Sequence, residues 1–488
     1  MRAGGILVAA SALALTACAA GPPPEVATPV PVLPDEFLFA PDPSASASLA
    51  ALMPVADPAF DTLAAQALAS SPTLGEAAAR VEEARAGADR AGAERLPEIG
   101  ANGSVTGQRS NPGSFGGGLP PGISFDTERV SYAANVTARW DLDLFGRLRA
   151  QERGALARFD AANARARAVR IALLAEIAAS VIDWRTLEAR EREIRSDLAS
   201  AEELARLAGV RERAGIAPGF DRVRAEGSAA GSRSRLVALE SERARLLGRL
   251  VTLTAQGGAQ VRAALAQENP AALDPPPPAT LPSVLLANRP DVIAAAADLA
   301  AADAALAAAA RRRFPVFDLS GAIGLLAFGI GDVFDNESLV GSLAGSIAGP
   351  LLDFGRIAAE IDGAAAGKRA AFEAYRGAVY TALGDAEAAY GVVATADAEA
   401  AAAAREAAAL QRAARLANAR FEAGLADFLT VLDARRAADA SGERAAAAQG
   451  RARRARIRHG RHRRRRRPDS ARLPRSTRRA AGAAARAW

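Results

Sequence analysis

The sequence is poor in the side chains that build most catalytic and metal sites. Cys18 is its single cysteine, and its two histidines, His459 and His462, stand close to the C-terminus. Residues 19–450 therefore offer no Cys or His ligand for a zinc site and no Ser/His or Cys/His nucleophile pair. Carboxylates could still act in pairs, but no acidic pair stands in a recognisable pocket motif. We expect no enzymatic activity, no metal and no cofactor.

Basic residues outnumber acidic residues in one segment only. The chain carries 61 Lys and Arg against 55 Asp and Glu, but 16 of the basic residues and only one acid, Asp469, lie within residues 451–488. The rest of the chain has 45 basic and 54 acidic side chains, so the isoelectric point near 10.2 describes that segment alone. No nucleic-acid partner is therefore expected for the body of the protein.

The N-terminal apolar run, residues 6–15, is shorter than a membrane-spanning helix, which needs about 20 residues. Its order of charge, apolar run and small residues predicts a signal peptide over residues 1–17. The ending "LTAC" resembles the bacterial lipobox, which implies lipid attachment at Cys18 and a lipid-anchored extended segment over residues 18–50. Ala19, which is not Asp, implies the outer membrane by the sorting rule of such lipoproteins. The alternative is a signal peptide cut beside a free cysteine.

An internal duplication organises the chain. Residues 71–97 align without gaps with residues 289–315, at an offset of 218 residues. "LFGRLRA" matches "DFGRIAA", and "LAGVRERAGIAPGFDRVRAE" matches "LANARFEAGLADFLTVLDAR", both at an offset of 209 residues. The difference falls in the glycine-rich "QRSNPGSFGGGLPPG" of the first half, which is typical of a surface loop. We predict two repeats, residues 51–267 and 283–450, joined by a Pro-rich connector over residues 268–282.

Each repeat has the same order of patterns: a helix, a proline, two strand-like stretches around a loop, and a very long helix. Polar and apolar residues alternate from Val130 to Leu144, as in a β-strand. In each repeat the second strand-like stretch runs into "FGR", which predicts strand-to-helix junctions at Gly146 and Gly355. Such alternation suits a half-buried soluble strand and a membrane barrel strand equally well. Four strands cannot close a barrel with a lumen, so any barrel must be shared among several chains.

Two proline-free segments, residues 147–214 and 356–423, are rich in Ala, Arg, Glu and Leu over 68 residues each. At 1.5 Å per residue each helix would be about 100 Å long, which exceeds a globular core and indicates a coiled-coil wall. Glycine suits the left-handed residue at a helix end, so we expect Gly215 and Gly424 at the tips of two helical hairpins.

Four sets of motifs stand at fixed places in this duplicated chain: "WDLDLFGRLRA", "NRPDVIAAAADLAAADAAL" with "RRFP", "GPLLDFGR" and "ARFEAGLADFLTVLDARRA". Together they resemble the TolC-like outer-membrane efflux channels, in their lipoprotein branch, over residues 50–450. The resemblance implies a mainly α fold with membrane β, in which a homotrimer builds a twelve-stranded β-barrel from four strands per chain. A long α-helical coiled-coil barrel would continue it through the periplasm.

The resemblance also implies a function and partners. The channel would passively export small molecules such as drugs, and an inner-membrane transporter would supply the energy through a periplasmic adaptor protein. Metal efflux and type I protein secretion use the same kind of channel, and the sequence does not separate them, because substrate choice resides largely in the transporter. A periplasm-spanning coiled-coil tether would also use long helices and a lipid anchor, but it would not need paired strand hairpins.

Leu429 and Asp433 stand four residues apart at the second hairpin tip and so share a helix face. The resemblance implies that they close the periplasmic aperture, where three Asp433 carboxylates would repel one another and favour cations. The alternative is that Leu429 packs in the coiled coil and Asp433 is a solvated helix residue. Trp140 and Phe145 belong either to an aromatic girdle at the membrane edge or to ordinary packing.

The arginine-rich segment, residues 451–488, breaks the duplication, because the first half has an apolar helix at the corresponding place. Members of the family end near this point with a segment like "ALYKALGGGW". Codons for "RSTRR", read two bases further on, can encode "LYKA". We interpret the segment as the product of a frameshift near codon 450, which could leave the protein unable to assemble. The alternative is a genuine disordered basic tail that binds acidic lipid or nucleic acid.

Overall fold

A computed structural model describes residues 24–34, 37–39, 57–109, 128–267 and 282–461. Several predictions fall elsewhere and stay predictions. They concern the signal peptide, the lipid site Cys18, the glycine-rich loop between the first two strands, the connector up to residue 281, and the arginine block beyond residue 461.

Helices and strands follow one another in the predicted order in both repeats. The first repeat contains α1 (Pro58–Ser70), α2 (Pro72–Ala93), β1 (Glu98–Arg109), β2 (Glu128–Asp141), α3 (Arg147–Arg213), α4 (Gly219–Thr254) and α5 (Gly258–Leu265). The second contains α6 (Pro282–Asn288), α7 (Pro290–Arg311), β3 (Val316–Ala327), β4 (Leu339–Ala348), α8 (Arg356–Glu422) and α9 (Phe428–Arg461). Prolines open α1, α2, α6 and α7, at the helix position where a missing N–H group breaks no hydrogen bond.

The four strands form one antiparallel sheet in the order β1-β2-β3-β4. Glu98 of β1 pairs with Arg139 of β2, and Val316 of β3 pairs with Ala348 of β4. Every residue of β1 and β4 is exposed. A single chain therefore leaves both edges of its sheet open, with backbone groups that another strand could pair.

Two strands end earlier than the alternating pattern predicts. β2 stops at Asp141 and β4 at Ala348, although the strand-like letters continue to Phe145 and Phe354. The backbone is the cause, because Asp143 and Phe354 are left-handed, at φ 45° and 50°, and a strand requires a negative φ. The expectation that these strands run directly into "FGR" is wrong, and a short turn precedes each long helix.

The two longest helices, α3 and α8, each span 67 residues, which corresponds to about 100 Å. The prediction of two very long helices is confirmed, with each helix ending one residue earlier than expected.

Two compact units divide the chain. The described residues of Met1–Val30, Ala79–Asn163 and Ala294–Arg376 form the first, which contains the sheet. There, Leu306 of α7 packs against Ile357 and Ile361 of α8.

The second unit comprises the described residues of Pro31–Ala78, Ala164–Ile293 and Gly377–Trp488. Its largest apolar core joins α1, α3, α4 and α5 with Ile457 of α9. The fully buried large side chains of that core are Leu63, Ile177, Val181, Leu250 and Leu265.

Candidate functional site

The first hairpin tip is closed by Gly215. Its φ is +72°, which glycine adopts without steric cost. The Gly215 N–H donates to the Glu212 carbonyl at 2.9 Å, and the Ile216 N–H donates to the Arg211 carbonyl at 3.0 Å. These two bonds are the Schellman pattern that satisfies the last carbonyls of a helix. The tip geometry therefore follows from the helix end itself.

The second tip repeats this arrangement at Gly424, where φ is +74°. The Gly424 N–H donates to Phe421 at 3.0 Å, and the Leu425 N–H donates to Arg420 at 2.7 Å. Asp427 then caps α9, because its carboxylate accepts the Thr430 N–H at 2.7 Å. Hydrogen bonds from the side chain and backbone of Thr430 lower the pKa of the Asp427 carboxyl.

An apolar cluster lies immediately behind the second tip. Its buried members come from α3, α4 and α9: Leu204, Ala208, Ala225, Phe428, Val431 and Leu432. Phe421 of α8 meets Phe428 edge-on, with ring centroids 6.0 Å apart. Helices of both repeats are therefore fixed to one another here, and sequence reasoning missed this role of Phe428. Its apolar neighbours in "FLTVL" were the available signal.

Leu429 and Asp433 lie on the opposite face of α9. Leu429 is 40% exposed, and Asp433 is also exposed. Neither belongs to the cluster that holds α9 in place, which leaves both side chains available to face a lumen or another chain. Both interpretations of Leu429 and Asp433, a gate and ordinary helix positions, stay predictions.

The strand-to-helix junctions are built around Gly146 and Gly355, at φ +76° and +85°. At the first, the Asp143 carboxylate accepts the Leu148 and Arg149 N–H groups at 2.8 and 2.9 Å.

At the second junction, Asp353 accepts the Ile357 N–H at 2.8 Å and the Gly355 N–H at 3.3 Å. These bonds lower the pKa of the Asp353 carboxyl. Sequence reasoning named the two glycines but missed both capping acids, although an aspartate before a long helix is a general N-cap signal.

A carboxyl pair joins α3 to α9 along the helical part. Asp197, which is nearly buried, hydrogen-bonds to Asp439. Burial, this bond and the neighbouring Asp439 charge raise the pKa of Asp197 to about 8, while Arg235 opposes the shift and Glu193 adds to it. Arg235 of α4 lies 3.7 Å from Asp197. The raised pKa favours one proton held between the two carboxyl groups at neutral pH.

Comparison with known proteins decides the family. A profile of the family described as "Outer membrane efflux protein" matches residues 63–256 and 281–458. The chain belongs to the outer membrane efflux protein family. This efflux protein is 31% identical over 382 residues to the pyoverdine export outer membrane protein OpmQ of Pseudomonas aeruginosa, covering 78% of this chain and 79% of OpmQ. It is 29% identical to the outer membrane protein OprJ of the same species, with the same two coverages.

Solved structures agree with this assignment. The outer-membrane channel OprN superimposes with a TM-score of 0.80 at 27% identity, covering 90% of this chain and 98% of OprN. A membrane protein from Pseudomonas aeruginosa gives 0.79 at 27% identity, covering 90% and 99%. The resemblance to TolC-like channels, the mainly α fold class with four strands and the outer-membrane location are thereby confirmed. The protein functions in efflux, in a family of outer-membrane channels.

The last helix runs past the predicted end of the second repeat. The sequence predicts the end of the second repeat at residue 450, whereas α9 continues to Arg461 and buries Ala452, Ala455 and Ile457. Arg451 also pairs with Glu399 at 2.5 Å. The frameshift stays a prediction, and the family match through residue 458 favours a change of frame after that residue.

Proposed function

We propose that the protein is the passive outer-membrane exit channel of a tripartite efflux system. It would carry small molecules delivered by an inner-membrane transporter through a periplasmic adaptor. The observation that supports this best is the joining of an open-edged four-stranded sheet to two 67-residue helices in each chain. Relatives named for pyoverdine export and toluene efflux support small molecules as the cargo.

The open sheet edges support a homotrimer. β1 and β4 would leave unpaired backbone groups in lipid, which is costly there, so β4 of one copy is expected to pair with β1 of the next. Three copies would supply twelve strands, and a closed barrel has no edge. The lipid anchor predicted at Cys18 would add attachment to the outer membrane without spanning it.

The hairpin tips support a gate and a docking surface. In a trimer, the exposed Leu429 and Asp433 of three copies would meet around one axis and narrow the periplasmic end. Gly215 and Gly424 end the helices at the surface that the adaptor would contact. A ring of carboxylates would favour cations in the conducting state.

Conductance of the purified protein in planar bilayers tests the proposal. We expect discrete channels, weaker cation selectivity for Asp433→Asn, and longer openings for Leu429→Ala. Arg224→Gln is the matched control, since Arg224 occupies the position of Asp433 in the first repeat, and it should leave selectivity unchanged. A protein without conductance contradicts the channel, whereas equal effects of Asp433→Asn and Arg224→Gln contradict only the gate.

A further inference from the structure

A basic cavity lies at the first strand-to-helix junction. It has a volume of about 490 Å³, within the range of about 300–1,000 Å³ that is usual for small-molecule pockets. Four arginines and one acid provide its charged lining: Arg95, Arg149, Arg153, Arg311 and Glu152. Leu144 and Phe145 provide its apolar wall and are 58% and 42% exposed.

The positive charge in this cavity is only partly neutralised. Arg95 pairs with Glu152 at 2.5 Å, and Arg149 lies 3.6 Å from Asp143. In the described part of the chain, no carboxylate lies within ion-pair distance of Arg153. The same holds for Arg311, whose guanidinium donates to the Ala307 carbonyl at 3.1 Å.

The arginines also stand close to one another. Arg149 and Arg153 are four residues apart, so they repel on one face of α3. If Gly146 carried a Cβ atom, the Nε atoms of Arg149 and Arg311 would each lie 3.7 Å from it. The two guanidinium groups therefore stand near the same point. An anion between them would relieve this repulsion.

The helix N-terminus does not explain the cluster. Asp143 already accepts the Leu148 and Arg149 N–H groups, so these two backbone donors of the first turn of α3 have a partner. The binding capacity lies in the guanidinium groups, which match the oxygens of a phosphate in a two-pronged geometry.

The second repeat lacks this cluster. Ala358 and Asp362 replace Arg149 and Arg153 at the corresponding positions, and Ala93 stands where the other repeat has Arg311. The acid that follows the second junction, Glu360, pairs with both Arg312 and Arg356 at 2.9 and 3.0 Å. Since the duplicated backbone does not require the arginines, a ligand at the first junction is a better reason for them.

The cavity lies at the end of the sheet where the helices begin. Arg95 precedes β1 by three residues, and Leu144 follows β2 by three. The Trp140 indole N–H donates to the Arg95 carbonyl at 2.9 Å, and Trp is enriched where a membrane meets water. The next step rests on the proposed function. In an outer-membrane channel with its helices in the periplasm, this end of the sheet faces the inner leaflet of the outer membrane.

We propose that this cavity binds the phosphate headgroup of an anionic phospholipid, with its acyl chains along Leu144 and Phe145. Free phosphate would share the contacts to Arg153 and Arg311 but would leave the apolar wall unused. Basic pockets at the membrane edge are suited to anionic headgroups. Bound lipid would neutralise the junction from which α3 begins.

Native mass spectrometry of the full-length protein in detergent tests the proposal. The probes are phosphatidylglycerol, a diacylglycerol with the same acyl chains, and inorganic phosphate as a competitor. We expect phosphatidylglycerol alone to be retained. The double variant Arg153→Gln, Arg311→Gln should weaken this affinity by about thirtyfold, from roughly fivefold for each basic group near an anionic surface.

Arg158→Gln is the matched control, because Arg158 is an exposed residue of α3 outside the cavity. The affinity of this variant for phosphatidylglycerol should equal that of the wild type. The single variant Arg153→Gln serves if the double variant misfolds. Unchanged retention in the arginine variants overturns the site, as does an equal loss in Arg158→Gln. Displacement of lipid by millimolar inorganic phosphate overturns the lipid assignment. The same spectra report the trimer mass, so a failure of assembly is separated from a failure of lipid binding.

Discussion

Gly215 and Gly424 have the same backbone geometry after two 67-residue helices, yet the residues beyond them differ. The second tip continues into Phe428, which is 7% exposed, where the first repeat has Gly219. The next residue of the first repeat, Phe220, is 64% exposed. Arg224 stands where the second repeat has Asp433. Duplication has therefore kept the turn while the side chains around it diverged.

Contacts between an arginine and an acid on neighbouring helices follow the same rule. Arg235 and Asp197 join α3 to α4 at 3.7 Å, and their counterparts Arg444 and Glu406 join α8 to α9 at 2.6 Å.

A second pair keeps its place but exchanges its signs. Arg190 meets Glu242 at 3.2 Å in the first repeat, where the second has Glu399 and Arg451 at 2.5 Å. The positions of opposite charge are retained more strictly than the residues, because either orientation attracts equally.

The largest expected difference between the tips concerns their phenylalanines. Phe428→Ala should lower the free energy of unfolding by about 3–5 kcal/mol, because it removes a buried ring from the cluster behind the second tip. Phe220→Ala is the control and should cost less than about 0.5 kcal/mol, as an exposed substitution. Urea unfolding followed by circular dichroism measures both. Equal losses would show that the two tips are packed alike.

Asp197, whose counterpart in the second repeat is Glu406, should make the stability of the protein depend on pH. Because the folded-state pKa of Asp197 is raised from 3.8 to about 8, the folded protein holds a proton that the unfolded chain releases. Stability therefore falls as pH rises from about 4 to 8. Asp197→Asn should flatten this slope and stabilise the protein at pH 8 by on the order of 2 kcal/mol.

Thermal unfolding between pH 4 and 8 measures this slope. Glu406→Gln is the control, and its profile should coincide with that of the wild type. A slope that survives in Asp197→Asn would assign the dependence to another group.

The smallest expected effects test what the repeats share. Gly215→Ala and Gly424→Ala should each cost about 1–2 kcal/mol, because both positions need a left-handed backbone. Gly227→Ala, inside α4 with open space around its Cβ position, should instead stabilise by about 0.5–1 kcal/mol. Thermal midpoints suffice for the comparison. Unequal costs at the two tips would mean that only one of the turns resists a side chain.

Much of the fold could be predicted because its signals are local. Gly215 and Gly424 mark helix ends, and alternating residues mark the strands. The strand ends were wrong because Leu144, Phe145 and the residues before Phe354 continue an apolar pattern through a backbone that has already turned.

The candidate site was less predictable from the sequence. The Asp197 and Asp439 pair and the cavity between Arg149 and Arg311 combine residues that are far apart in the chain, and no local pattern encodes such a distance.

The equal length of α3 and α8 restricts how such a chain can gain or lose residues. One inserted residue rotates everything beyond it by about 100° and shifts it by 1.5 Å. An insertion in α3 before Leu204 would therefore turn Leu204 and Ala208 away from Phe428. Seven residues, close to two turns, nearly restore the face. Natural length variation should therefore concentrate in loops and termini, and helical changes should come as matched multiples of seven in both repeats.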